Sequence, residues 1–126
     1  MHIDRIDHLV MTVRDLQVTC DFYARVLGLE IITFGEGRKA LGCGANKINL
    51  HEAGHEFEPK AAHPIPGAID LCLTTLTPIP TIVAHLEAQG VPIVEGPVKR
   101  TGARGGLLSV YFRDPDGNLI EVANEI

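Results

Sequence analysis

The feature that most restricts what this chain can fold into is an internal repeat. Residues 6–12, Ile-Asp-His-Leu-Val-Met-Thr, line up with residues 68–74, Ala-Ile-Asp-Leu-Cys-Leu-Thr, setting His8 against Asp70 and Thr12 against Thr74. Each apolar run is followed by a stretch of helical spacing. The first is read as Asp15–Leu27, with Asp15 as N-cap and Leu16, Cys20, Tyr23 and Leu27 on one face. The second is read as Ile79–Gln89, with Ile79, Ile82, Val83 and Leu86 apolar. Both stop at a glycine, Gly28 and Gly90, and each glycine lies 20 residues beyond its aligned partner, His8 or Asp70. A glycine just past a helix supplies the left-handed residue that closes it. Further strand-like runs follow, Leu29–Phe34 and Val91–Glu95, and each half ends in a similar strand, Ile48–Leu50 and Ile120–Val122. The second half carries about ten extra residues, mostly in 96–106.

The predicted fold class is therefore α+β, built from two βαβββ modules. Module one covers about 4–58, a Pro- and Ala-rich linker about 59–67, and module two about 68–126. A lone module leaves one sheet face bare, so the two are expected to pack as a single domain. Side chains alternate along a strand, which places His8, Asn49, His51, Asp70, Ser109, Tyr111, Arg113 and Glu121 on polar faces opposite aliphatic ones. Curled toward each other, the sheets would line one concave cavity with these residues. The turn Asp114-Pro115-Asp116-Gly117-Asn118 predicts a hairpin that sets Glu121 opposite Tyr111.

Composition narrows the functions. Apolar residues make up 45% and charged residues 21%, enough for a real core, and the net charge is -5. Phosphate backbones need a basic face, and Lys99, Arg100 and Arg104 are the one basic cluster, so no nucleic-acid partner is expected. No apolar run reaches the ~18 residues that would span a bilayer, and the opening residues read as neither signal nor transit peptide. Three cysteines, Cys20, Cys43 and Cys72, form no C-x-x-C pair, and an odd count speaks against a disulfide framework. The expected location is cytoplasmic.

The opening Ile-Asp-His-Leu-Val-Met-Thr-Val, the helix carrying Asp21-Phe22-Tyr23 and ending Leu27-Gly28, and the closing Tyr111-Phe112-Arg113-Asp114-Pro115-Asp116-Gly117-Asn118-Leu119-Ile120-Glu121 resemble the vicinal-oxygen-chelate superfamily. That group includes glyoxalase I, fosfomycin-resistance proteins, extradiol dioxygenases and bleomycin-resistance proteins. The stretches Lys47–His51, Glu58–Ala61 and Gly67–Cys72 are similar to a bacterial subgroup of glyoxalase-like virulence proteins, of the glyoxalase-domain-containing protein 5 type.

The resemblance implies a U-shaped cavity between the paired modules, with a divalent metal ion (Ni, Mn, Zn, Fe or Co) held by His8, Asp70 and Glu121, a small-molecule substrate and a homodimer. Glu121, Tyr111 and Arg113 are the expected catalytic residues; Asn49, His51, Ser109 and Arg104 are expected around the substrate. Lys99, Arg100 and Arg104 are read as a mobile loop for an anionic substrate. Two departures stand out. Glyoxalase I-type sites commonly have Glu where this chain has Asn49, and His where it has Asp70. The expected activity is a metal-dependent lyase or isomerase of lactoylglutathione lyase type. The alternatives are a ring-cleavage dioxygenase, a thiol-adding resistance enzyme, or a metal-free ligand-sequestering protein.

Overall fold

Both halves of the chain begin with a strand followed by a helix, and in the first an N-capping residue joins the two. In the computed structural model, which describes residues 1–126, β1 (His8–Val13) leads into α1 (Leu16–Leu27). The Asp15 carboxylate accepts a hydrogen bond from the Val18 N–H at 3.0 Å, satisfying one of the orphan donors of the first turn. Gly28, at φ 64°, closes the helix, its N–H donating to the Ala24 carbonyl. The hairpin strands β2 (Glu30–Phe34), β3 (Arg38–Cys43) and β4 (Asn46–Glu52) complete the first half. β5 (Asp70–Thr74), α2 (Ile79–Ala88), β6 (Ile93–Gly102), β7 (Gly105–Arg113) and β8 (Leu119–Glu125) make up the second.

The chain divides into two units, Met1–Ala68 and Ile69–Ile126. Unit one is a four-stranded mixed sheet in the order β1-β4-β3-β2, with β1 parallel to β4 and the other pairs antiparallel. Unit two repeats this as β5-β8-β7-β6, with β5 parallel to β8. In each unit the helix covers the aliphatic face. Met11, Val13, Ile48 and Leu50 are buried with Tyr23 and Val26 of α1, and Val110, Phe112, Ile120 and Val122 are buried with Ile79 and Leu86 of α2. Each such side chain contributes about 1.5–3 kcal/mol on leaving water. The buried face of α1 is Thr19, Cys20, Tyr23 and Val26, so Leu16 and Leu27 flank it rather than form it.

Both helices also receive a side chain from the last strand of their own unit. Glu52 Oε2 accepts from the Leu16 N–H at 3.2 Å, and Asn124 Oδ1 accepts from the Ile79 N–H at 3.0 Å. Pro78 offers no capping side chain at the start of α2, so Asn124 takes over that work. Its amide nitrogen also donates to the Thr75 and Thr77 carbonyls.

One expectation changes. The Gly- and Arg-rich stretch is a paired arm, not a mobile loop: β6 runs to Gly102 and pairs with β7 down to Gly102↔Gly105. The register shifts twice, between Ile93 and Glu95 and between Glu95 and Val98. Gly96, at φ 110°, lies in the second shift, where an added Cβ would come within 2.4 Å of the Ser109 carbonyl oxygen. Only a residue without a side chain permits that approach. No helix is long and apolar enough to cross a membrane, and all three cysteines are free.

The Asp114–Asn118 turn is the best-bonded local feature. Asp114 Oδ1 accepts from the Asp116 and Asn118 N–H groups. Asn118, fully buried, donates through Nδ2 to Asp114 Oδ2 and accepts from the Ile69 N–H, tying the turn to the start of β5. Asn118→Ala leaves these groups buried and unpaired, and is expected to lower unfolding stability by about 2–4 kcal/mol in urea titration. A loss below about 0.5 kcal/mol would show that the turn is not what pins β8 to β5.

Candidate functional site

Glu121 lies near the middle of β8, the strand held on both sides, opposite Cys72 of β5 and Tyr111 of β7. One residue pair along, Ala123 faces Ser109 and Thr74. Because paired residues share a face and every second residue returns to it, Cys72, Tyr111, Ser109 and Glu121 form one patch. The fully buried Ser109 hydroxyl donates to Glu121 Oε2 at 2.6 Å. The Tyr111 phenol and the Cys72 thiol stand opposite Glu121 on the two paired strands, where its charge acts on both. Arg100 Nε donates to the Tyr111 oxygen at 3.1 Å while its Nη2 pairs with Glu95 at 3.2 Å.

Burial keeps the Tyr111 phenol above its ordinary value; Arg100 opposes this and Glu121 reinforces it. Burial, with the charge of Glu121 next, pushes the Cys72 thiol up to about 11. Cys72 is therefore a protonated thiol near neutral pH and no ready nucleophile. These groups open onto a cavity of about 640 Å³ lined by residues of unit two, among them Cys72, Arg100, Leu107, Tyr111 and Glu121. That volume suits a small molecule.

The other expected site residues are placed as follows. Asp70 is exposed at the start of β5 opposite Leu119, two residues from Cys72 and on its face. Arg113 is exposed and donates to the Gly117 carbonyl of the turn at 3.3 Å. Arg104, at the end of the β6–β7 arm, holds both carboxylate oxygens of Glu125, at 2.8 and 3.0 Å. In unit one, His8 is exposed and its Nδ1 is 2.8 Å from Asp7 Oδ2. That hydrogen bond holds the Asp7 carboxyl below its ordinary value. Asn49 and His51 are buried on the polar face of β4. No three His, Cys, Asp or Glu side chains are gathered in metal-holding geometry in the chain, so neither unit assembles the expected ligand set by itself.

The sequence reading gives Cys72 no part in the site and assigns Arg100 to a mobile loop for an anionic substrate; both belong to the Glu121 patch. The face alternation that selected Asp70 also selects Cys72, so that signal was present. The position of Arg100 depends on the pairing of the arm down to Gly102↔Gly105, which nothing in its local sequence announces.

His51 gives this region a pH dependence. Burial, then Arg38, holds its imidazole below the ordinary 6.5, with Glu56 opposing. The unfolded chain then binds the extra proton more readily. The stabilising contribution is complete above that ordinary value and is lost as pH falls through the lowered folded value. The melting temperature is expected to drop between pH 6.5 and about pH 5, and to drop less in His51→Gln. Parallel pH profiles for the two proteins would contradict this.

Comparison with known proteins gives the arrangement its family. The virulence protein STM3117 of Salmonella typhimurium is 56% identical over 126 residues, covering 100% of this chain and 88% of that protein. Its crystal structure superposes with a TM-score of 0.98 over the whole of both chains. The glyoxalase domain-containing protein RDO1 of Mycosarcoma maydis is 52% identical over 124 residues, covering 98% of this chain and 70% of the relative. Lactoylglutathione lyase from Agrobacterium tumefaciens matches with a TM-score of 0.73 at 25% identity, over 97% of this chain and 94% of the other. Residues 5–122 match the model of the glyoxalase/bleomycin resistance protein/dioxygenase superfamily, and the chain belongs to that superfamily.

Proposed function

We propose that the protein is a metal-dependent lyase or isomerase of glyoxalase type, acting on a small substrate with neighbouring oxygens. The observation that carries this reading is the Glu121 carboxylate, fixed by the Ser109 hydroxyl at 2.6 Å and presented to a cavity beside Tyr111. Such a carboxylate is suited to take a proton from a carbon next to a carbonyl and return it to the neighbouring carbon. Ser109 fixes its orientation, the protonated Tyr111 phenol donates a hydrogen bond, and Arg100 orients Tyr111. Arg113, bonded to the turn, supports the register of β8.

Superfamily members commonly hold a divalent ion. We assign His8, Asp70 and Glu121 as its ligands here, with Ni, Mn, Zn, Fe or Co as candidates. The donor chemistry fits. Asp7 engages Nδ1 of His8 and leaves Nε2 for the ion, the usual arrangement of a metal-binding imidazole. The ion would polarise the substrate carbonyl as a Lewis acid. A homodimer in the cytoplasm is the setting this reading assumes. The second reading is a metal-free ligand-holding protein, in which the cavity beside Tyr111 and Arg100 takes its ligand without an ion.

Metal content decides between the two. Protein purified without chelators is expected to carry one divalent ion per chain, lost in His8→Ala and Asp70→Ala; metal-free protein from the same preparation would support the second reading. With the hemithioacetal of methylglyoxal and a thiol as first substrate, Glu121→Gln is expected to abolish turnover. Ser109→Ala should lower kcat/KM about 10–100-fold by freeing the carboxylate. Wild-type turnover in Glu121→Gln would remove Glu121 from the reaction.

A further inference from the structure

Unit one holds a second cluster that the Glu121 patch does not use. Arg38, at the start of β3, faces Phe34 across the β2–β3 pair, and its Nη2 lies 3.4 Å from His51 Nε2. The guanidinium lies between two rings, 5.0 Å from the centre of Phe34 and 4.4 Å from that of Phe57. Phe57 also meets His51 edge-on at 5.5 Å. Asn49 shares the polar face two residues from His51, and Glu56 acts on His51 electrostatically. Three buried polar atoms of this cluster have no hydrogen-bond partner: Arg38 Nε, Asn49 Oδ1 and Glu56 Oε2.

Unpaired buried polar atoms are rare and costly, and three in one neighbourhood call for a reason. The set is specific: one charged donor and two acceptors. A bare anion would satisfy Arg38 but leave Asn49 and Glu56 facing its oxygens. A bare amine would do the reverse. A group that carries an oxyanion and an adjacent ammonium satisfies all three, and one with a single adjacent hydroxyl satisfies Arg38 and one of the two acceptors. The rings beside the guanidinium shield part of it from water, which strengthens a charged hydrogen bond.

We propose that Arg38, Asn49 and Glu56 form a recognition site for a small carboxylic acid bearing a hydroxyl or amino group next to the carboxylate. Arg38 donates to the carboxylate, and the neighbouring O–H or N–H donates to Asn49 or Glu56. The site lies wholly within unit one and needs no metal, so it stands or falls apart from the lyase reading.

The test uses the full chain, stripped of metal and labelled with ¹⁵N, observed through the Arg38 Nε–H and the Asn49 side-chain amide. Glycolate, glycine, acetate and chloride are titrated in turn at constant ionic strength. Saturable shifts of both resonances are expected with glycolate or glycine, at least ten-fold weaker binding with acetate, and none with chloride. In Asn49→Ala the advantage of glycolate over acetate should shrink, and Arg38→Met should abolish the saturable shift of the Asn49 amide. Should Arg38→Met fail to fold, Arg38→Lys replaces it, with weakened binding expected. Acetate binding as tightly as glycolate, no saturable shift with any of the acids, or unchanged binding in the Arg38 variant would each overturn the proposal. The last result would mean that the cluster only fastens Phe57 to the sheet.

Discussion

Each unit depends on one pairing: its first strand lies parallel to its last. A parallel pair cannot be closed by a tight turn, so the chain must cross over, and the helix with the two strands after it is that crossover. The same pairing makes β4 and β8 interior strands, with hydrogen-bonded neighbours on both sides. Asn49 lies between Val10 and Ala40, and Glu121 between Cys72 and Tyr111. A polar side chain in an interior strand is fixed by two ladders before it makes any bond of its own. Three residues further on, Glu52 and Asn124 reach the first turn of the helix in their own unit. Crossover and interior strand are thereby fastened to each other at matching places in the two repeats.

Much of this was legible in the sequence because it is carried by local rules. Gly28 and Gly90 stop helices because of the backbone angles they adopt. Asp15 caps because an aspartate before an apolar helical face has an N–H within reach. The Asp114–Asn118 turn sets the Tyr111↔Glu121 pair as its residues require. What was not legible is long-range or depends on backbone irregularity. Asn124 caps a helix that begins 45 residues earlier. Arg38 and Phe57 meet across an intervening hairpin, and neither has a pattern that names the other. The Gly96–Gly106 stretch looks like a loop because glycine and charge interrupt any alternation, yet its strands pair throughout the arm. The grouping of Cys72 with Glu121 follows from register, whereas the three-ligand set drawn from both repeats rests on the resemblance.

The polar faces of both sheets are less wet than alternating strands usually allow. Asn49, His51 and Ser109 are buried, and the last two are held by partners on neighbouring strands. In unit two the polar contacts converge on a single carboxylate, which accepts from a hydroxyl and has a phenol and a thiol opposite it on the paired strands. In unit one they converge on a guanidinium and leave donors and acceptors unmatched. The two repeats have kept one scaffold and filled corresponding faces with opposite charge.

The end of the β6–β7 arm, not its bulge, acts as a selector of side chains. Pairing down to Gly102↔Gly105 sets Arg100 against Leu107, on the face that Tyr111 shares, and turns Lys99 to the other face. The extra residue between Glu95 and Val98 is taken up in the bulge and leaves that pairing as it is. An insertion at the tip that slid the strands by one residue would exchange the two. The positive charge beside the phenol would survive, but as an ammonium instead of a flat guanidinium that reaches both Tyr111 and Glu95.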